Sequence, residues 1–192
     1  MTNKKFYASS LKRYGSDVKA LHWNSVESQE VRFQQILNLL PQDLHHYNVV
    51  DAGCGFADLY QFFVDSNQVP KCYIGLDALA PMVQEARMRV PCKIIECDIL
   101  KESLSEADFY LCSGAMNIMS SFESELFIRR CYEASRIGFI FNVLWGEKEQ
   151  SIYNYLSVTD IYAVAQRLGA TCKILTGYLE RDITVAFYKE RL

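Results

Sequence analysis

The chain is poor in the residues that build metal-held or disulfide-held proteins. It has three histidines, His22, His45 and His46, and its seven cysteines form no CxxC pair. An odd, scattered set of thiols excludes a disulfide framework and fits reduced cysteines in a cytoplasmic protein. Cys92 and Cys97 stand five apart with no histidine nearby, so no metal site is expected. His45 and His46 read as a polar loop ahead of a strand. A basic excess is also missing: 20 Lys and Arg face 23 Asp and Glu, for a net charge of −3. That argues against a nucleic-acid groove or an anionic membrane surface and leaves a small molecule as the expected partner. The longest strongly apolar run, "IGFIFNVLW" at 137–145, is far too short to span a bilayer. The one local exception in charge is the start, where Lys4, Lys5, Lys12, Arg13 and Lys19 meet only Asp17. It lacks the apolar core of a signal peptide and reads as a solvated terminus.

Nothing divides the chain either. There is no repeat, no low-complexity tract and no Pro/Gly-rich linker, so residues 1–192 are expected to form one domain. What is abundant is apolar surface: half the residues are hydrophobic and 13% are aromatic, ample for a large core.

Periodicity alternates along the chain. Phe33, Ile36, Leu37 and Leu40 share a helical face, which predicts a helix over about 26–40, ended by Pro41. "NVVDAG" predicts a buried strand, followed by a helix at about 57–66. "CYIGLD" (72–77) is a second strand, and Pro81 suits the first turn of the helix after it. "CKIIECD" (92–98) and "ADFYLCSG" (107–114) are the third and fourth strands, with a helix at about 121–135 and the apolar strand 137–144 behind them. Ile161, Val164, Ala165 and Leu168 mark another helix, with Gly169 just past its end. "TCKILTGY" and "DITVAFYK" are strand-like runs joined by a short turn, which requires antiparallel neighbours. The expected fold is α/β: a mostly parallel, seven-stranded sheet with helices on both faces and one antiparallel strand near the C-terminal edge. In such sheets a ligand sits beyond the carboxyl ends of the strands, where strand order reverses.

At that edge stands "VVDAGCGFAD" (49–58). A strand, a glycine turn and a helix make a generic nucleotide site. The dinucleotide pattern G-x-G-x-x-G fails at its third glycine, which here is Asp58. An acid in the first helical turn would compete with a pyrophosphate for the same helix terminus, and Asp51 adds a second negative charge. Such a turn suits a nucleoside without phosphate that carries positive charge, as S-adenosylmethionine does. Asp77 closes the second strand 22 residues after Gly55, the position from which a carboxylate accepts from both ribose hydroxyls. Asp98, with Ile99 beside it, closes the third and is placed to take the adenine amino group and cover the ring. Three consecutive strands thus end in Asp at one edge.

The stretches "VVDAGCGFADL", "YIGLDALAPMVQEAR", "IIECDIL" and "ADFYLCSGAMNIM" resemble the cofactor half of class I S-adenosylmethionine-dependent methyltransferases, and "DITVAFYK" resembles that family's antiparallel last strand. "RYGSDVKALHWNSVESQEVRF" resembles the N-terminal segment of a bacterial small-molecule methyltransferase subgroup. The resemblance implies a Rossmann-like core at 47–192 behind an N-terminal helical or lid segment at 1–40, and S-adenosyl-L-methionine as cofactor with S-adenosyl-L-homocysteine as product. It implies that Asp51, Gly53 and Gly55 hold the methionine end and Asp77 the ribose, with Ala78, Leu79 and Met82 near. Asp98 and Ile99 would take the adenine, and Ser113 and Gly114 would lie beside the sulfonium. The "SGAMN" run departs from the (Asp/Asn)-Pro-Pro-aromatic run of DNA and protein amide methylases, which argues against those substrates.

Methyl transfer needs placement more than a fixed catalytic group, and no catalytic residue stands out. Candidates for the acceptor pocket are Tyr14, His22, Trp23, Asn117, Asn142 and Trp145, and Tyr14 and Trp23 are also candidate cofactor contacts. Residues 9–24 are the expected lid. A cytoplasmic enzyme methylating a small molecule is expected, as a monomer or homodimer, with no nucleic-acid or membrane partner. Other readings are a regulatory or inactive protein that binds the same cofactor, an aminopropyl transferase and a dinucleotide oxidoreductase.

Overall fold

The computed structural model describes residues 26–146 and 153–190. Its elements run α1 (Val26–Leu39), β1 (Asn48–Ala52), α2 (Asp58–Asp65), β2 (Cys72–Asp77), α3 (Ala80–Arg89), β3 (Lys93–Glu96) and β4 (Ala107–Ser113). Then come α4 (Ser121–Ala134), β5 (Ser135–Trp145), β6 (Tyr155–Leu156), α5 (Val158–Leu168), β7 (Ala170–Leu175) and β8 (Asp182–Lys189).

The strands form one sheet in the order β3-β2-β1-β4-β5-β8-β7, with β6 beside β5. Pairing is parallel throughout except at β8, which runs antiparallel to both β5 and β7. The sheet bears out the expected α/β architecture, with a two-residue eighth strand added. That strand, β6, pairs Tyr155 with Leu144 and Leu156 with Trp145. Two residues carry no period, so sequence pattern could not reveal it.

Alternation along β4 shows how the sheet divides the core. Phe109 and Leu111 face one layer, with Phe33 and Ile36 of α1, Leu59 and Phe63 of α2, and Val83 and Ala86 of α3. Tyr110 and Cys112 face the other, with Phe127, Ile128 and Cys131 of α4 and Ile161, Val164 and Ala165 of α5. Both faces are covered, so the central strands read as near-continuous apolar runs.

The helix ends follow from local chemistry. Ser120 caps α4: its Oγ accepts from the Glu123 amide at 3.3 Å, and the Glu123 carboxylate accepts from the Ser120 amide at 2.9 Å. The Ser157 hydroxyl accepts from the Asp160 amide and opens α5. Gly169 closes that helix at φ +62°, as its position predicts. Order reverses between β1 and β4, so the ligand crevice opens beyond Ala52 and Ser113.

Candidate functional site

The glycine turn leaves β1 at Gly53 with φ +79°, and a Cβ there would lie 2.4 Å from the Ala115 Cβ. The turn after β1 therefore packs directly on the turn after β4, which only glycine permits. The amides of Gly53 and Cys54 both donate to the Leu76 carbonyl, at 2.7 and 3.0 Å. The Gly55 amide donates to Asp77 Oδ2 at 3.0 Å. Three successive N–H groups of the turn are thus spent on the end of β2 rather than left for a phosphate.

The acids lie where the sequence places them, each with a partner. Asp51 is 3% exposed and accepts from the Tyr73 hydroxyl at 2.6 Å. Burial pushes its carboxyl up to about 7, against the Tyr73 hydrogen bond, with the charges of Asp77 and Asp58 adding to the rise. Asp77 Oδ1 accepts from the Leu79 amide at 2.9 Å. Burial raises this carboxyl too, while the amides of Leu79, Gly55 and Ala78 oppose the rise. Asp58 opens α2 as expected, but its charge is shared: Gln29 Nε2 donates to Oδ2 at 3.1 Å, and Arg89 Nη1 lies 3.5 Å from Oδ1. Gln29 and Arg89 thus offset part of the charge that Asp58 sets against a pyrophosphate, and the engaged amides of the turn add a second obstacle.

Asp98 stands two residues beyond the last residue of β3, Glu96, rather than closing the strand. Its own side chain ends the strand early: Oδ1 accepts from the Leu100 amide at 3.2 Å, and Oδ2 pairs with Lys101 Nζ at 2.7 Å. Ile99 beside it is buried.

Ser113 ends β4 and donates to Asn142 Oδ1 at 2.8 Å, while Asn142 Nδ2 donates to Thr184 Oγ1 at 2.7 Å. Asn142 is 1% exposed and ties β4 to β5 and β8, so it is a strut rather than a pocket wall. Trp145, at the end of β5, also stands off the cavity. Asn117 does line it, and its Oδ1 is buried with no hydrogen-bond partner among the described residues. Tyr14, His22 and Trp23, with the rest of the 9–24 segment, lie outside the described residues.

One cavity of about 410 Å³ joins these groups. Asp51, Gly53, Gly55, Asp58, Asp77, Ala78, Leu79, Met82, Asp98, Ile99, Ser113 and Gly114 all border it. Sequence reasoning missed three of its walls: Gln29, Arg32 and Phe33 from α1, Met119, Glu123 and Phe127 from the start of α4 and the turn before it, and Tyr153. Arg32 left one signal, a charged residue interrupting the apolar face of α1. It is 7% exposed and grips Asp182 of β8 through Nε at 2.7 Å and Nη2 at 2.5 Å. Among the described residues no three metal-ligating side chains converge, and no helix is long and apolar enough to cross a membrane.

No family model and no curated protein sequence matches the chain. Solved structures do. Magnesium protoporphyrin IX methyltransferase from Synechocystis PCC 6803, with bound S-adenosylhomocysteine, aligns at a TM-score of 0.74 and 12% identity, over 98% of this chain and 100% of that one. A protein described as a "putative methyltransferase", solved in complex with the Haloferax volcanii Trm112 methyltransferase activator, aligns at 0.72 and 14% identity over 97% of each chain. A possible histamine N-methyltransferase from Thermotoga maritima aligns at 0.69 and 14% identity, over 96% of this chain and 100% of that one. The chain has the fold of the class I S-adenosylmethionine-dependent methyltransferases, as the sequence resemblance implies.

Proposed function

We propose that this chain transfers a methyl group from S-adenosyl-L-methionine to a small-molecule acceptor, leaving S-adenosyl-L-homocysteine. The observation that carries the reading is Asp77. Its carboxylate borders the cavity at the end of β2, beside the point where strand order reverses. Two backbone amides hold it there, one from the glycine turn and one from Leu79. A cavity of about 410 Å³ falls within the range of roughly 300–1,000 Å³ typical of small-molecule sites.

The residues present fit this cofactor better than a dinucleotide. The amides of Gly53, Cys54 and Gly55 are already engaged at the end of β2, and Asp51 and Asp58, the first buried and the second shared with Arg89, put carboxylates rather than cations at that end. The cofactor supplies a methyl group on a positively charged sulfur, which is a good leaving group. Asp77 accepts from the ribose hydroxyls. Asp98 and Ile99 take the adenine, with Ala78, Leu79 and Met82 lining the same stretch. Asp51, Gly53 and Gly55 border the methionine end, and Ser113 and Gly114 the methyl side. The chain's contribution is placement and exclusion of water, which Tyr14, Trp23 and the 9–24 segment complete as a lid. The single-domain organisation, a cytoplasmic setting and a monomer or homodimer belong to the same reading. The fold match to a methyltransferase solved with S-adenosylhomocysteine supports it.

Calorimetry tests the proposal. S-adenosylmethionine and S-adenosylhomocysteine should bind with micromolar affinity, and NAD far more weakly. Comparable binding of NAD would overturn the cofactor assignment. Amide exchange across residues 9–24 should slow when S-adenosylhomocysteine is added, and identical exchange in both states would remove the lid.

A further inference from the structure

Asp51 is a carboxyl group in the cavity wall with less support than its burial demands. It is 3% exposed and borders the cavity. One donor reaches its side chain, the Tyr73 hydroxyl at 2.6 Å from Oδ2. Oδ1 has no hydrogen-bond partner among the described residues and, unlike the sealed Asn117 Oδ1, keeps some surface open. A carboxylate buried with a single hydrogen bond is costly, and the protonated acid is less so.

The groups around Asp51 supply no counter-charge. β2 contributes Tyr73 and, at its end, Asp77; the glycine turn contributes Cys54, β4 Cys112 and α2 Asp58. Burial raises the phenol and both thiols, so they stay neutral. The two carboxylates add to the rise at Asp51. From α1 the cavity receives Gln29, which donates to Asp58, and Arg32, which grips Asp182. Asp51 therefore titrates at about 7, and the ligand-free protein holds its proton through the mildly acidic range. A cation brought to Oδ1 reverses that balance.

We propose that Asp51 gives up its proton when the cofactor binds, and that the carboxylate so formed holds the ammonium group of the methionine end. The inference rests on the methyl-transfer reading above and adds how that site selects its cofactor. The proton leaves to solvent, and no covalent bond of the ligand changes. The ionised acid has no counter-charge until the ammonium arrives, so a ligand without that charge leaves the proton in place. A ligand that bears it binds more tightly as pH rises, because less work is spent on removing the proton.

Calorimetry in buffers of different ionisation enthalpy counts the protons exchanged on binding. The probes are S-adenosylhomocysteine, which has the ammonium group, and 5′-methylthioadenosine, which shares the adenosine and the sulfur and lacks it. At about pH 6, S-adenosylhomocysteine should release roughly one proton and 5′-methylthioadenosine none. Between about pH 6 and pH 8 the affinity for S-adenosylhomocysteine should rise about tenfold, with 5′-methylthioadenosine level. Asp51→Asn should abolish the release and flatten the profile. Tyr73→Phe removes the one donor that favours the carboxylate, from a residue that does not line the cavity, so it should move the rise to higher pH. If S-adenosylhomocysteine fails to bind the wild type throughout that range, the methyl-transfer reading itself fails. If it binds, four results overturn the proton exchange: no release at about pH 6, equal release with 5′-methylthioadenosine, release that survives Asp51→Asn, or a profile that Tyr73→Phe leaves in place.

Discussion

Arg32 of α1 and Asp182 of β8 stand 150 residues apart and close a two-pronged, buried ion pair at 2.7 and 2.5 Å. The pair locks the first described helix to the antiparallel strand and fixes one wall of the cavity. Removing one partner leaves the other charged and desolvated. Arg32→Met should therefore cost about 3–5 kcal/mol in urea denaturation. Adding Asp182→Leu to it should recover much of the loss. A single variant as stable as wild type would show that solvent already screens the pair.

Asp77 has two tasks, and variants can separate them. Read from the sequence as a ribose ligand alone, Asp77→Ala should spare folding. The structure changes that expectation, because the amides of Gly55 and Leu79 would lose their acceptor. Asp77→Ala should lower stability by about 1–3 kcal/mol for each amide left unpaired, in addition to weakening the ligand. Asp77→Asn keeps the shape and an acceptor oxygen. That single oxygen can serve only one of the two amides, so Asp77→Asn should lose about half as much stability as Asp77→Ala and still weaken S-adenosylhomocysteine about tenfold or more through the lost charge. Unchanged ligand affinity with a collapsed melting temperature would make Asp77 purely structural.

Asp51 predicts a pH dependence with a definite sign. Its folded carboxyl titrates at about 7, above the unfolded value of about 3.9. Between those values the folded state holds a proton that the unfolded chain has released. The stability from this group is therefore present at low pH and lost as pH rises toward 7. Asp51→Asn cannot ionise and should lack this slope. Its unfolding free energy relative to wild type should rise from about pH 4 and level off above about pH 7. A difference that stays constant across that range would show that Asp51 is not buried as described.

Gly53 probes the contact between the two turns. Gly53→Ala brings a Cβ to 2.4 Å from the Ala115 Cβ at φ +79°. The backbone strain alone is about 1–3 kcal/mol, and the clash adds to it. Gly53→Ala combined with Ala115→Gly should remove the clash and leave the strain, so thermal unfolding should show partial recovery. Full recovery would mean that φ at residue 53 relaxes freely.

The element order, the antiparallel strand and the line of acids at one sheet edge were all legible along the chain, because each rests on a local period or a local turn. Gly53 and Gly55 mark a tight turn within four residues of Asp51, and strand period alone carries Asp77 to the same edge. The partners of those groups were not legible. Gln29 reaches Asp58 across 29 residues, Ser113 reaches Asn142 across 29, and Arg32 reaches Asp182 across 150. Side-chain pairing at such separations is decided by how helices and strands stack, and periodicity holds no record of it. The same holds for Asn117, whose side-chain oxygen is enclosed only in the folded chain. The pattern of the chain determines that a crevice forms at the strand ends; the packing of α1, α4 and β8 around it decides what the crevice accepts.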